Sequence, residues 1–333
     1  MIFLLTGGAG FIGSHTAVEL INQGHQVIIY DNLCNSSQDV INKIRQITHT
    51  KIDFVQGDIR DVQKLTNVIN RYSIEAVIHF AGLKAVGESC SKPIEYFDNN
   101  VSGTVGLLKA MSACNVKQLI FSSSATVYGI PKYLPLNETH PLSSTNPYGR
   151  TKLHIEEILK DVCESDNEWS IVCLRYFNPI GAHESGLIGE NPQGIPNNLL
   201  PYVARVATGQ LACLKVFGGD YDTPDGTGIR DYIHVVDLAK GHVCATQYAK
   251  KHHGWIAINL GTGNGYSVLD VVKTFEKVSH KKITYQIVDR RPGDVASNWA
   301  DVSLAQKLLG WKAELSLQDM CRSSWNFQSK IKR

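Results

Sequence analysis

The chain has 333 residues, 43% of them hydrophobic and 19% charged, with a formal net charge of +2. This is the composition of a soluble globular protein with room for a large core and two domains, and it excludes a disordered or low-complexity chain. The near-neutral balance implies no nucleic-acid partner, and eight cysteines without a C-x-x-C pair signal neither a zinc site nor a disulfide framework.

The opening "MIFLL" is apolar but far too short to span a membrane or to form a signal h-region. The first strand is expected at 2–6, with no leader before it, and the scattered cysteines fit a reducing compartment, so the cytoplasm is the expected location. Further strands are predicted at 26–31, 52–58, 76–82, 118–124 and 170–177. Most are continuous apolar runs, as expected of parallel strands covered on both faces. Helices are predicted near 11–23, 38–48, 61–72, 93–114 and 147–165. This alternation predicts an α/β domain, a doubly wound parallel sheet of the Rossmann type, over residues 1–177. From residue 178 the chain becomes rich in Gly, Pro and Asn, then mixes shorter helices and strands. A smaller mixed α/β substrate domain is expected over 178–333, with the option that parts near 231–262 pack back on the first domain.

Gly7, Gly8 and Gly10 stand between the first strand and the first helix, and Gly13 follows in that helix's first turn. A lone G-x-G-x-x-G is weak, but a strand before it and an amphipathic helix after it supply the context for dinucleotide binding. The glycines permit a tight turn, and the helix N-terminus offers N–H groups to a pyrophosphate. Asp31 ends the next strand, where a carboxylate accepts from a ribose 2′-OH and repels a 2′-phosphate, which favours NAD over NADP. The plain alternative is a glycine turn followed by an aspartate that merely starts a loop. Asp58 and Lys84 follow the third and fourth strands at the same carboxyl edge.

The predicted helix at 147 starts with Asn146 as cap and Pro147 in the first position. It then places Tyr148 and Lys152 one turn apart on one face, while Ser124 ends the fifth strand. A tyrosine titrates near 10, so a phenolate at neutral pH needs roughly 4 kcal/mol of differential stabilisation. A nearby ammonium, an oxidised nicotinamide and the helix N-terminus all favour it. Arg150 projects elsewhere and has no assigned role.

"TGGAGFIGS", "FSSSATVYG" and "YGRTK" together resemble the extended short-chain dehydrogenase/reductases. "DNLCNSS", "HFAGLKAVGES", "LRYFNPIGAHESGLIGENPQGIPNNLLPYV", "DGTGIRDYIHVVDLA" and "RRPGD" narrow the resemblance to the UDP-galactose (UDP-glucose) 4-epimerases, over essentially the whole chain. The resemblance implies a bound NAD and a Tyr148 phenolate that takes the proton of the sugar 4-OH while hydride leaves C4. Ser124 would bond the same oxygen, and Lys152 would hold the nicotinamide ribose and lower the Tyr148 pKa. It further implies cofactor contacts from Gly7, Gly10, Phe11, Ile12, Gly13, Asp31, Asn32, Asn35, Ser36, Asp58, Ile59, Phe80, Ala81, Lys84, Asn99, Ser122, Tyr148, Lys152 and Phe177. The nucleotide-sugar contacts would be Lys84, Ser124, Tyr148, Asn178, Asn198, Leu199, Phe217, Arg230, Arg291, Asp294 and Asn298. A homodimer paired through the helices near 93–114 and 147–165 is implied, and no metal.

Asn298 is a departure, because some members of the family carry a tyrosine there. The smaller side chain either makes room for a 2-acetamido group, which would admit UDP-GlcNAc and UDP-GalNAc, or bonds locally while its neighbours still fill the space. Three other readings compete with the epimerase, one of them a simple dehydrogenase, which would need stoichiometric added NAD. A nucleotide-sugar 4,6-dehydratase would need an acid pair directly after Ser124, where Ala125 and Thr126 stand. A non-catalytic NAD-sensing regulator would not need the Tyr148–Lys152 pair.

Overall fold

The structure is a computed structural model that describes residues 1–192, 194–291 and 293–331; Gln193, Pro292, Lys332 and Arg333 lie outside the described residues. Six strands follow one another through the first half: β1 (Ile2–Thr6), β2 (Gln26–Asp31), β3 (Asp53–Gln56), β4 (Ala76–His79), β5 (Gln118–Ser124) and β6 (Ser170–Tyr176). Shorter strands come next: β7 (Asn178–Ile180), β8 (Leu214–Phe217) and β9 (Ile229–His234). Then follow β10 (Gly254–Leu260), β11 (Gly265–Ser267), β12 (Tyr285–Val288) and β13 (Ser297–Asn298). The main sheet is parallel, in the order β10-β6-β5-β4-β1-β2-β3. The strand order reverses between β1 and β4, and ligands of such sheets bind at the carboxyl ends beside that point.

The helices are α1 (Phe11–Asn22), α2 (Asp39–Thr48), α3 (Val62–Arg71), α4 (Val86–Ser91), α5 (Pro93–Phe97) and α6 (Gly103–Ala113). They continue with α7 (Pro147–Ser165), α8 (Leu199–Ala207), α9 (Val235–Ala249), α10 (Val268–Ser279), α11 (Ser303–Leu309) and α12 (Leu317–Lys330). Both faces of the sheet are covered. Phe3, Leu5, Ile29 and Ile258 pack with residues of α1, α2, α9 and α11. Their strand neighbours Leu4, Ile28 and Ala257 pack on the other face with α3, α6 and α7. This is the period-two alternation of a strand, with both sides apolar because both sides are buried.

α8, α10 and α12 enclose a separate core with β8 and β9. β7 and β13 run parallel to β9, β11 runs antiparallel to it, and β12 pairs with β8. The helix α12 was not anticipated from the sequence, although Ser316 and Asp319 form a reciprocal capping box at its start. The predicted helix 93–114 is broken: a five-residue π-helical turn, Asp98–Ser102, separates α5 from α6. Such turns interrupt the hydrogen-bond ladder and leave no periodic mark in a sequence. The eight cysteines are unpaired, and Cys34 and Cys90 are exposed rather than buried.

Candidate active site

The glycine loop lies on the fourth strand's exit. Gly7 has φ +69°, and a Cβ there would stand 2.6 Å from the Ala81 nitrogen. A Cβ on Gly13 would stand 2.6 Å from the Gly7 oxygen. The loop is therefore a cradle that side chains would fill. Gly10 precedes α1 with no side-chain cap, and the first turn holds no acidic residue. The opening N–H groups around Phe11 and Ile12 are thus unclaimed by side chains, which suits an anion such as a pyrophosphate. Gly7→Ala is expected to cost about 1–2 kcal/mol in left-handed backbone strain alone and to leave the purified protein with less than about a tenth of the wild-type NAD, measured in the supernatant after denaturation.

Asp31 ends β2 and is buried. It accepts from Ala9 N–H (3.0 Å), Leu33 N–H (2.8 Å) and the Ser36 hydroxyl (2.9 Å). It therefore shapes both the glycine loop and the 32–36 loop, while keeping lone pairs for a ribose hydroxyl. Asn32 donates to Asp58 (3.2 Å). The Arg60 guanidinium beside Asp58 holds its carboxyl down at about 2, so it is ionised at any working pH. The Ile59 side chain is in the core under α6, which leaves its backbone for a ligand. Asn35 is exposed, Phe80 packs against His242 with ring centroids 4.9 Å apart, and Phe177 is buried beside Tyr128 and Ala300.

α7 starts as its sequence predicts: Asn146 accepts from Gly149 N–H at 2.9 Å, with Pro147 first in the helix. Tyr148 is half-buried, Lys152 is buried and Arg150 is exposed. The Lys152 Nζ donates to the Ser122 carbonyl at 2.6 Å and lies 4.7 Å over the Phe121 ring. Burial pulls its pKa down to about 8. Ser124 accepts from the Thr126 N–H (3.2 Å) and hydroxyl (3.0 Å), which leaves its own proton free to donate. Burial pushes the Tyr148 phenol above its ordinary value, and the Ser124 hydroxyl and the Lys84 charge oppose that rise. The Lys152 head stays on the Tyr148 side of the helix's first turns, anchored by the Ser122 carbonyl.

Several residues that position this constellation were not anticipated. Asn100, buried in the π-helical turn next to Asn99, accepts from Leu83 N–H (2.8 Å) and donates to Leu83 O and Thr151 Oγ1 (3.0 Å each). It clamps the segment that carries Lys84 to the helix that carries Tyr148. Glu156, one turn beyond Lys152, accepts from Arg175 Nη2 at 2.7 Å and from the Ser123 hydroxyl at 2.5 Å. The signal was present in the sequence as Tyr148, Lys152 and Glu156 at i, i+4 and i+8. Glu190 accepts from Lys84 Nζ (3.1 Å) and Asn198 Nδ2 (2.5 Å).

The residues expected to contact the nucleotide sugar come from separate elements, and two pairs of them meet. Arg230 on β9 is 3.7 Å from Asp294, and the Arg291 guanidinium lies 4.3 Å over the Phe217 ring. Asn298 pairs with Arg230 in β13, and its buried Oδ1 has no hydrogen-bond partner. Asn178 and Asn198 are exposed at the start of β7 and just before α8, which begins at Leu199. Asp231, fully buried, accepts from Thr262, Gly263 and Ala300 and so fixes the strand that presents Arg230. Among the described residues no group of His, Cys, Asp and Glu is placed to hold a metal ion, and no helix is long and apolar enough to cross a membrane.

The sequence matches the family model described as GDP-mannose 4,6 dehydratase over residues 4–324. A UDP-glucose 4-epimerase of Bacillus subtilis (strain 168) is 56% identical over 329 residues, covering 99% of this chain and 97% of that one. The crystal structure of the UDP-glucose 4-epimerase from Bifidobacterium longum, in complex with NAD+ and UDP, superposes with a TM-score of 0.97 at 57% identity, covering 99% of each chain. That of the Stenotrophomonas maltophila enzyme, with bound NAD and formylated UDP-arabinopyranose, gives 0.98 at 51% identity, covering 99% of this chain and 98% of that one. At this identity over nearly the full length of both chains, the chain belongs to the UDP-glucose 4-epimerases of the extended short-chain dehydrogenase/reductase family.

Proposed function

We propose that the chain is an NAD-dependent isomerase that interconverts UDP-glucose and UDP-galactose at C4. The observation that carries this reading is Tyr148 beside Ser124 at the carboxyl edge of the sheet that also bears the glycine cradle. NAD, when bound, supplies the hydride acceptor and returns the hydride, so a 4-keto sugar lies between the two hexoses and no net oxidation occurs. Tyr148 takes the proton of the 4-OH and gives it back, and Ser124 donates a hydrogen bond to the same oxygen. Lys152 would hold the nicotinamide ribose, a role supported by its burial one turn beyond Tyr148. Arg230 and Arg291 suit the pyrophosphate, since guanidinium forks match phosphate oxygens. Phe217 serves the uracil and Asp294 a ribose hydroxyl, while Asn178, Asn198 and Leu199 frame the sugar side. The test is incubation with UDP-galactose and no added NAD. Formation of UDP-glucose supports the reading; dependence on stoichiometric added NAD with accumulation of keto sugar overturns it.

The 4,6-dehydratase reading lacks its acid. Ala125 is buried, and the Thr126 hydroxyl is donated to Ser124. The regulator reading is disfavoured by a complete Tyr148, Lys152 and Ser124 set.

The unpartnered Asn298 Oδ1 favours a wider substrate range, because an acceptor at that point can take the N–H of a 2-acetamido group. Asn298→Tyr is expected to lower turnover of UDP-GalNAc at least tenfold while changing that of UDP-galactose less than about threefold; assays of both sugars on both proteins check it. A homodimer is proposed through α5, α6 and α7, on whose surface Ile94 is 83% exposed. The unpaired cysteines support a cytoplasmic location.

A further inference from the structure

We propose that Tyr221 is a positioning residue for the base end of the nucleotide site: its ring braces the turn after β8 and so holds the Phe217 ring at a fixed angle for a stacked pyrimidine. This deepens the epimerase reading and rests on its assignment of Phe217 to the uracil. Phe217 ends β8 half-buried, and the two residues after it are Gly218 and Gly219. Two successive glycines give the backbone on that side unusual freedom, so something else must fix the ring. Gly218 has φ +81°, and a Cβ there would run into the Tyr221 ring and stand 3.1 Å from Arg290 Cγ. Tyr221 thus packs directly on the Gly218 backbone, one residue from Phe217.

The brace has a second layer. The Arg290 guanidinium lies 4.3 Å over the Tyr221 ring, as the next residue, Arg291, lies over Phe217. Arg290 Nε donates to Asp220 Oδ1 at 2.8 Å, and its Nη2 donates to the Asp220 carbonyl at 2.6 Å. That ion pair is exposed, so it orients the guanidinium and adds little strength. Tyr221 itself is 7% exposed. Its N–H donates to Gly226 O at 2.9 Å, and its carbonyl accepts from Thr223 N–H at 2.8 Å. The same loop runs on into β9 and Arg230, so it joins the residue assigned to the base to one assigned to the pyrophosphate. The Tyr221 hydroxyl is buried with no hydrogen-bond partner. An orphan hydroxyl adds no stability, so the ring is the part that the site uses.

The test is calorimetric titration of the NAD-loaded protein with UDP, alongside KM and kcat for UDP-galactose. A lost base stack costs roughly five- to a hundredfold in affinity, so Tyr221→Leu is expected to weaken UDP about fivefold or more. KM should rise in step while kcat falls less than about twofold. Tyr221→Phe keeps the ring and sheds the orphan hydroxyl, so it should bind UDP within about twofold of wild type. Arg290→Ala uncovers the outer face of the ring and should weaken UDP about two- to threefold. The Arg290 side chain is half-exposed, so this variant tests the brace even where Tyr221→Leu does not fold. In a Phe217→Ala background each of the two weakening substitutions should add less than about twofold, which a general loss of stability would not produce. Effects that persist undiminished without the Phe217 ring, a Tyr221→Phe protein as weak as Tyr221→Leu, or UDP affinity unchanged by both substitutions overturns the inference. If Phe217→Ala alone leaves UDP affinity unchanged, it is the assignment of Phe217 to the uracil that fails instead.

Discussion

Tyr148→Phe is expected to retain the fold and bound NAD while losing roughly 10²–10⁴-fold in kcat for UDP-galactose. The change removes one oxygen from a half-buried side chain at a helix start whose cap, Asn146, and first residue, Pro147, are untouched. The glycine cradle and the Asp31 contacts lie on other elements and do not depend on the phenol. On the proposed reading, what is lost is the proton acceptor at the 4-OH. Ser124 does not substitute for it, because a hydroxyl without a base beside it holds its proton far above neutral pH. The measurement is conversion of UDP-galactose to UDP-glucose, with released NAD as the control for loading. Turnover within tenfold of wild type would remove Tyr148 from the mechanism.

The second large effect is on stability. Glu156→Ala is expected to cost about 3–5 kcal/mol, because it leaves a buried arginine without its counter-charge. Arg175 and Glu156 are each 2% exposed. The guanidinium also donates to the Tyr128 hydroxyl (3.1 Å) and to Glu138 O (3.2 Å), while the Tyr128 hydroxyl donates to Asn259 (2.6 Å). The network thus ties α7 to β5, β6 and β10 behind the reacting groups. Denaturant midpoints check the cost, read with the slope to confirm that unfolding remains cooperative. The paired replacement Glu156→Met with Arg175→Met should be less destabilised than Glu156→Ala, since it strands no charge. A single substitution costing under about 1 kcal/mol would show that water or another carboxylate already satisfies Arg175.

Much of this molecule was written in local patterns. The strands β1, β2 and β5 and the helix α7 have the ends that their apolar runs and caps predict, because those ends depend on neighbours in the chain. The glycine loop, Asp31 and the Tyr148–Lys152 spacing were equally legible, since each is a short-range geometric requirement. Contacts that depend on folding were not. The partner of Lys152 is a carbonyl thirty residues away, and the partner of Lys84 is Glu190, 106 residues away. Asn100 looks like any polar residue until the π-helical turn points it at Leu83 and Thr151. Glu190 reads as one more loop carboxylate, and only burial against Lys84 and Asn198 distinguishes it.

The placement of β10 has a consequence for dissection of the gene product. This strand comes from residues 254–260, yet it pairs with β6 along seven residues and forms the rim of the main sheet. A fragment ending at residue 177 would uncover that whole row of β6 amides and carbonyls, along with the strand's wholly buried face. An unpaired, apolar, seven-residue edge is a template for pairing with another chain. The nucleotide-binding half is therefore not a portable module. Severed from its distal sequence it should self-associate, and co-expression with residues 178–333 is the arrangement that would restore a soluble pair.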